Sequence, residues 1–162
     1  MNSFATETKI DAPVNQVWDA LADIGNIYAW NPGVVASRTT SAASADLGAT
    51  RTCDLGGKNF LDEEVVAWQP NEQLFMQITN TNLPFATAVI RFYLKPENDS
   101  TIVTVSPQYQ LKYGFVGSLL DRVYVRENYR RGMDSLLAGL KEFVEHGKTA
   151  VAKVTDSYEL IA

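Results

Sequence analysis

The sequence has one cysteine and one histidine, and that scarcity removes several chemistries at once. Cys53 and His146 lie far apart, so neither a tetrahedral zinc set nor a two-histidine facial triad can be assembled. A Ser-His-Asp arrangement has only His146 to draw on. That residue sits just before Gly147 at the expected end of a long helix, where it caps carbonyls or meets solvent. A lone cysteine cannot form an intramolecular disulfide, and a reducing cytoplasm is the expected location. Cys53 itself, in an apolar strand, reads as a small buried hydrophobe rather than a nucleophile. Phosphate-binding glycine loops are missing as well. No metal and no cofactor is expected.

Basic charge is also in short supply. The formal net charge is −5, and nucleic-acid binding needs clustered Lys and Arg to neutralise phosphates. The one basic cluster, Arg126, Arg130 and Arg131, is interleaved with Glu127 and Asp134 and reads as a solvated helix face. No apolar run approaches the roughly 20 residues of a spanning helix, and the polar opening MNSFATETKI has no secretory core.

What is present is a regular alternation of patterns. Phe4–Asp11 has period two and reads as a strand. Asp11-Ala12-Pro13 then offers a helix entry, with Asp11 as N-cap, and Val14, Val17, Trp18 and Leu21 recur at helical spacing. A second short helix is expected over Ile24–Trp30, ended by Pro32. Strands follow at Val34–Thr40, Ala49–Leu55, Lys58–Trp68, Leu74–Thr79, Ala86–Lys95 and Thr101–Leu111. Gly56-Gly57 is a hairpin signal, because both positions tolerate positive φ. A long helix is expected from about Val116 to His146, with Val123, Met133, Leu137, Leu140 and Val144 on one stripe. Gly132 and Gly139 weaken it by about 1 kcal/mol each, which implies close packing or a bend. The expected organisation is one domain over residues 1–147 and a C-terminal extension over 148–162. The economical arrangement is α+β, an antiparallel sheet curled around the long helix.

Several residues carry a family resemblance: Ala12-Pro13, Val17-Trp18, Leu21, Asp23, Trp30 and Pro32. Gly48-Ala49-Thr50-Arg51, Glu64-Val65-Val66, Leu137-Ala138-Gly139-Leu140-Lys141 and Glu145 add to it. Over residues 4 to 146 the chain resembles the START/birch-allergen-like superfamily, also called SRPBCC or polyketide cyclase-like proteins. The resemblance implies a helix-grip fold: a curved seven-stranded antiparallel sheet, two short helices after the first strand, and a cavity under the long C-terminal helix. Trp30 is then expected to fill the joint between the short helices, the sheet and the long helix, with Tyr28 half-exposed beside it.

Pairing Leu55 with Lys58 across the Gly56-Gly57 turn would set Cys53 opposite Phe60, Arg51 opposite Asp62 and Ala49 opposite Glu64. Alternation then places Arg51, Cys53, Phe60, Asp62, Glu64 and Val66 on the cavity side. For Thr101–Leu111 two readings compete: the resemblance turns Gln108 inward, whereas periodicity turns in Val103, Val105 and Tyr109. The inward face of Leu74–Thr79 is open. Leu83 and Phe85 are expected as exposed apolar groups on a loop at the cavity mouth.

These residues support three functions. The first is a carrier or sensor that binds a small hydrophobic molecule of lipid, polyketide or aromatic type, without catalysis. The second is a cyclase/dehydratase-like enzyme using Asp62 or Glu64 as general base. The third is a protein-interaction module using the loops near Trp30 and Phe85. Lys58 lies at a hairpin tip and Lys112 at a strand end, so no lysine is placed for condensing chemistry. The strand Val34–Thr40 also lacks the lysine that plant hormone receptors of the superfamily use.

Overall fold

A computed structural model describes residues 1–114, 119 and 124–150. In chain order they form β1 (Asn2–Ser3), β2 (Thr6–Ile10), α1 (Val14–Ala22), a 3-10 helix (Ile24–Ala29) and β3 (Ala36–Thr39). Then come β4 (Thr50–Gly56), β5 (Asn59–Gln69), β6 (Gln73–Thr81), β7 (Phe85–Glu97), β8 (Ser100–Leu111) and α2 (Arg126–His146). The expected start of the long helix at residues 116–118 and 120–123, Val123 of its stripe, and residues 151–162 of the extension lie outside the described residues.

All strand pairs are antiparallel, in the order β1-β8-β7-β6-β5-β4-β3, with β2 also on β8. β1 and β2 keep a common register on β8, Ser3 opposite Gln108 and Thr6 opposite Val105, so they are one strand interrupted at Phe4-Ala5. The sheet is therefore the expected seven strands wide. Register shifts in β4, β5 and β6 mark bulges, which bend strands and increase twist. They let an open sheet wrap a helix.

Alternation along the strands decides which face is buried. In β8, Val103, Val105, Pro107, Tyr109 and Leu111 are buried and the residues between them are not. In β6, Leu74 and Met76 turn inward. Met133, Leu136, Leu137 and Leu140 of α2 close over this apolar face as a single helical stripe; at roughly 1.5–3 kcal/mol per fully buried large side chain, this face is the main source of stability.

α2 is also tied to the interrupted first strand through its polar groups. Arg126 Nη2 and Arg130 Nη1 donate to the Ser3 and Ala5 carbonyls at 3.3 and 3.2 Å, and Lys141 Nζ donates to the Lys9 carbonyl at 2.6 Å. Arg130 also lies over the Phe4 ring. The basic cluster is thus partly engaged with the sheet edge, and only Arg131 pairs within the helix, with Glu127 at 3.1 Å. Asp11 is not the N-cap of α1. Pro13 holds that position without a side-chain cap, while the Asp11 amide donates to Glu145 Oε1 at 2.6 Å and its carboxylate accepts from Ser100. Gly147 ends α2 in the left-handed conformation, its amide donating to the Phe143 carbonyl at 2.8 Å.

The two glycines of α2 differ in a way that shapes the molecule. A Cβ on Gly139 would overlap the Trp30 carbonyl oxygen and come 3.1 Å from Pro32 Cδ. The missing side chain lets the helix lie directly on the turn that carries Trp30, itself buried in the core. Gly132 is seven residues earlier, two turns away on the same face, yet a Cβ there would meet nothing within 4 Å. Helix and turn touch at Gly139 and separate toward Gly132.

Candidate functional site

The gap between α2, the turn after the 3-10 helix and the concave face of the sheet is a cavity of about 310 Å3. Its walls are largely apolar: Ile27 and Val34 from the helix–strand joint, Leu55 and Leu61 from β4 and β5, and Ile78, Ile90 and Phe92 deeper in the sheet. Phe85 and Tyr129 form one end, their rings tilted 44° to each other with centroids 5.5 Å apart, and Tyr109 and Phe4 pack around Tyr129. The more exposed lining residues, Asn128, Arg131, Gly132 and Ser135 on α2, mark the opening, facing Asn31, Pro32 and Gly33.

One polar cluster interrupts the apolar wall. Arg51 and Glu63 stand directly opposite each other on β4 and β5, and both are almost fully buried, at 4 % and 1 % exposure. Arg51 Nε donates to Glu63 Oε2 at 2.7 Å, and Nη1 donates to the Ile24 carbonyl at 3.1 Å. The Cys53 thiol lies 3.7 Å from the same Oε2. Glu63 Oε1 is buried and has no hydrogen-bond partner among the described residues. Such an acceptor costs about 1–3 kcal/mol when left unmade.

The electrostatics follow from burial and from this pairing. Burial is the largest single influence and acts to lower the Arg51 pKa, but the charge and hydrogen bond of Glu63 together with the neighbouring Cys53 outweigh it, so the guanidinium is held above its ordinary value and stays charged. Burial pushes the Cys53 thiol up to about 12, against the opposing pull of Arg51. Cys53 is therefore a neutral thiol near neutral pH and a poor nucleophile. The cluster as a whole, one cation and one carboxylate, is electrically balanced.

This geometry corrects the expected face of β5. The two-residue loop is Gly57-Lys58, with Gly56 opposite Asn59, and a bulge at Leu55 sets Asp54 opposite Phe60 and Cys53 opposite Leu61. A one-residue slip turns every side chain over. Arg51 and Cys53 do line the cavity, together with Leu61 and Glu63, but Phe60, Asp62, Glu64 and Val66 are on the other face. Asp62 there accepts from Thr52 Oγ1 at 2.7 Å and Asn80 Nδ2 at 3.0 Å, and Val66 is 38 % exposed. Gln108 also faces away from the cavity and accepts from Arg91 Nη2. Periodicity was the sounder guide in β8, because that strand buries its valines. Phe85 lines the cavity, but neither it nor Leu83 is exposed, at 7 % and 2 %; both belong to the wall rather than to a projecting loop.

Glu63 was the residue missed. A signal for it existed in the sequence. Of the two alternating sets in β5, Leu61, Glu63, Val65 and Ala67 carry one charge, whereas Phe60, Asp62, Glu64 and Val66 carry two. The less charged set belongs inside.

The sequence matches, over residues 1–145, the family described as polyketide cyclase / dehydrase and lipid transport. The chain belongs to this family. Its fold recurs in solved structures. A START superfamily protein from Mycobacterium smegmatis is 16 % identical with a TM-score of 0.74, over 90 % of this chain and 99 % of that one. A protein from Thermus thermophilus is 21 % identical, with a TM-score of 0.73 over 88 % and 97 % of the two chains. The ginseng major latex-like protein 151 from Panax ginseng is 14 % identical, with a TM-score of 0.69 over 86 % and 95 %. At these identities the likeness establishes the helix-grip, START-like fold alone. No curated protein matches the chain. Among the described residues no helix is long and apolar enough to cross a membrane, and no three His, Cys, Asp or Glu side chains gather as a metal site would need.

Proposed function

We propose that this family member is a cytoplasmic carrier or sensor that holds a small, largely hydrophobic molecule in the cavity under α2 without transforming it. The carrying observation is the cavity itself: about 310 Å3 of mostly apolar space with one buried polar cluster in its wall. That volume is at the lower end of the range for small-molecule sites, where apolar walls provide affinity and a few polar groups orient the ligand. The groups near the cavity argue for holding rather than reacting. Neither lysine nor histidine is among the described lining residues, and the one thiol is kept protonated. Native mass spectrometry of the purified protein tests this. A bound small molecule, lost from a Gly132→Phe variant that fills the opening, is the expected result. Failure to bind any member of a panel of neutral lipids and aromatics would contradict it.

A second reading rests on the same cluster. A carboxylate with one oxygen unengaged beside an apolar cavity is placed to accept a proton, as a cyclase or dehydratase requires. Glu63, not Asp62 or Glu64, is the residue for that role. Turnover of a polyketide-type substrate that disappears in Glu63→Gln would establish this reading over the first.

A further inference from the structure

The Arg51–Glu63 pair constrains what the polar end of a ligand can be. Glu63 Oε2 is already taken, by the Arg51 Nε–H at 2.7 Å and by the Cys53 thiol at 3.7 Å, while Oε1 has no partner among the described residues. The unmet group is an acceptor, so it calls for a donor. Charge narrows the choice further. Arg51 and Glu63 neutralise each other in a setting where both are nearly inaccessible to water. An incoming carboxylate would leave a net negative charge in the cavity, and an incoming ammonium a net positive one. Each is costly away from water. A neutral hydroxyl or amide N–H adds a hydrogen bond without unbalancing the pair.

Resting on the cavity-binding reading above, we infer that the ligand is a neutral hydrophobic alcohol, phenol or amide that donates its hydrogen to Glu63 Oε1. Its body lies against Leu61, Ile90 and Phe92, and it enters between Gly132 and the Asn31–Gly33 turn. Gly132 contributes by having no side chain: its Cβ direction is open, so the glycine serves the passage rather than the packing of α2. Arg131 at the opening is the competing polar site, and it is already paired with Glu127.

Three probes of one shape separate these ideas: 2-naphthol, 2-methoxynaphthalene and 2-naphthoate, titrated into the wild-type protein by calorimetry at neutral pH. 2-Naphthol is expected to bind about fivefold to 150-fold tighter than 2-methoxynaphthalene, which keeps the shape and loses the donor; 2-naphthoate is expected to be no better than the ether. In the Arg51→Met/Glu63→Leu double variant, which leaves no buried charge unpaired, the preference for naphthol should collapse to within about twofold. Equal affinities, or tightest binding of naphthoate, would overturn the inference and leave the cavity reading standing, the latter assigning recognition to Arg131. Absence of binding by all three, or unchanged affinities in Gly132→Phe, would overturn both.

Discussion

Replacing Glu63 with leucine strands Arg51. The guanidinium would lose its 2.7 Å partner and keep the Ile24 carbonyl at 3.1 Å, while remaining 4 % exposed. It cannot escape by giving up its proton, since arginine stays charged in proteins. Removing one member of a buried pair costs about 3–5 kcal/mol, a large part of the roughly 5–15 kcal/mol that stabilises a typical domain. At about 2–4 °C per kcal/mol for a chain of this size, the melting temperature should fall by roughly 6–20 °C. Adding Arg51→Met should restore stability to within about 1 kcal/mol of wild type or exceed it, because two well-packed apolar residues replace two desolvated charges. Urea unfolding followed by the fluorescence of Trp18, Trp30 and Trp68 measures both, with an unchanged slope expected. A cost below about 1 kcal/mol for Glu63→Leu would show that the pair is not buried as described. A double variant as unstable as the single would show that the cost comes from packing, not from an unpaired charge.

The two glycines of α2 should respond oppositely to alanine. Gly132→Ala should stabilise by about 0.5–1 kcal/mol, since its Cβ meets nothing within 4 Å and helix propensity improves. Gly139→Ala should destabilise by about 1–3 kcal/mol from overlap with the Trp30 carbonyl; thermal unfolding of the pair decides, and equal effects would refute the contact. Cys53 should resist iodoacetamide at pH 8 in the folded protein and react in urea. Its thiol also predicts alkaline sensitivity. An unfolded thiol loses its proton near 9 and the folded one near 12, so the unfolded state binds fewer protons between them and stability falls as pH rises through that window. The slope due to this group is up to about 1.4 kcal/mol per pH unit, and stability-against-pH curves of wild type and Cys53→Ala should diverge there.

The order of elements was legible because each strand announces itself by alternation and α2 by its stripe, and Ala12-Pro13 through Pro32 marks the fold. Trp30 was readable as a packing residue for the same reason. The site was harder. Gly56 and Gly57 both adopt positive φ, so either can lie in the loop, and the parity of β5 depends on a bulge at Leu55 that local sequence does not announce. The run Asp62-Glu63-Glu64 then offers a carboxylate to the cavity in either register, and only the pairing of Arg51 selects Glu63. In β8 the family resemblance pointed Gln108 inward, against a valine pattern that burial enforces. Leu83 and Phe85 lie close to a turn, and nothing local shows that the chain folds them back under α2.

The central claim, that a neutral hydrophobic molecule sits between α2 and the concave sheet, is tested most directly by NMR of the protein with 2-naphthol bound. Intermolecular NOEs from the naphthol ring to the methyl groups of Leu61 and Ile90 and to the Phe92 ring are expected, with the hydroxyl nearest Glu63. NOEs confined to exposed groups such as Tyr28 or Tyr93 would contradict it.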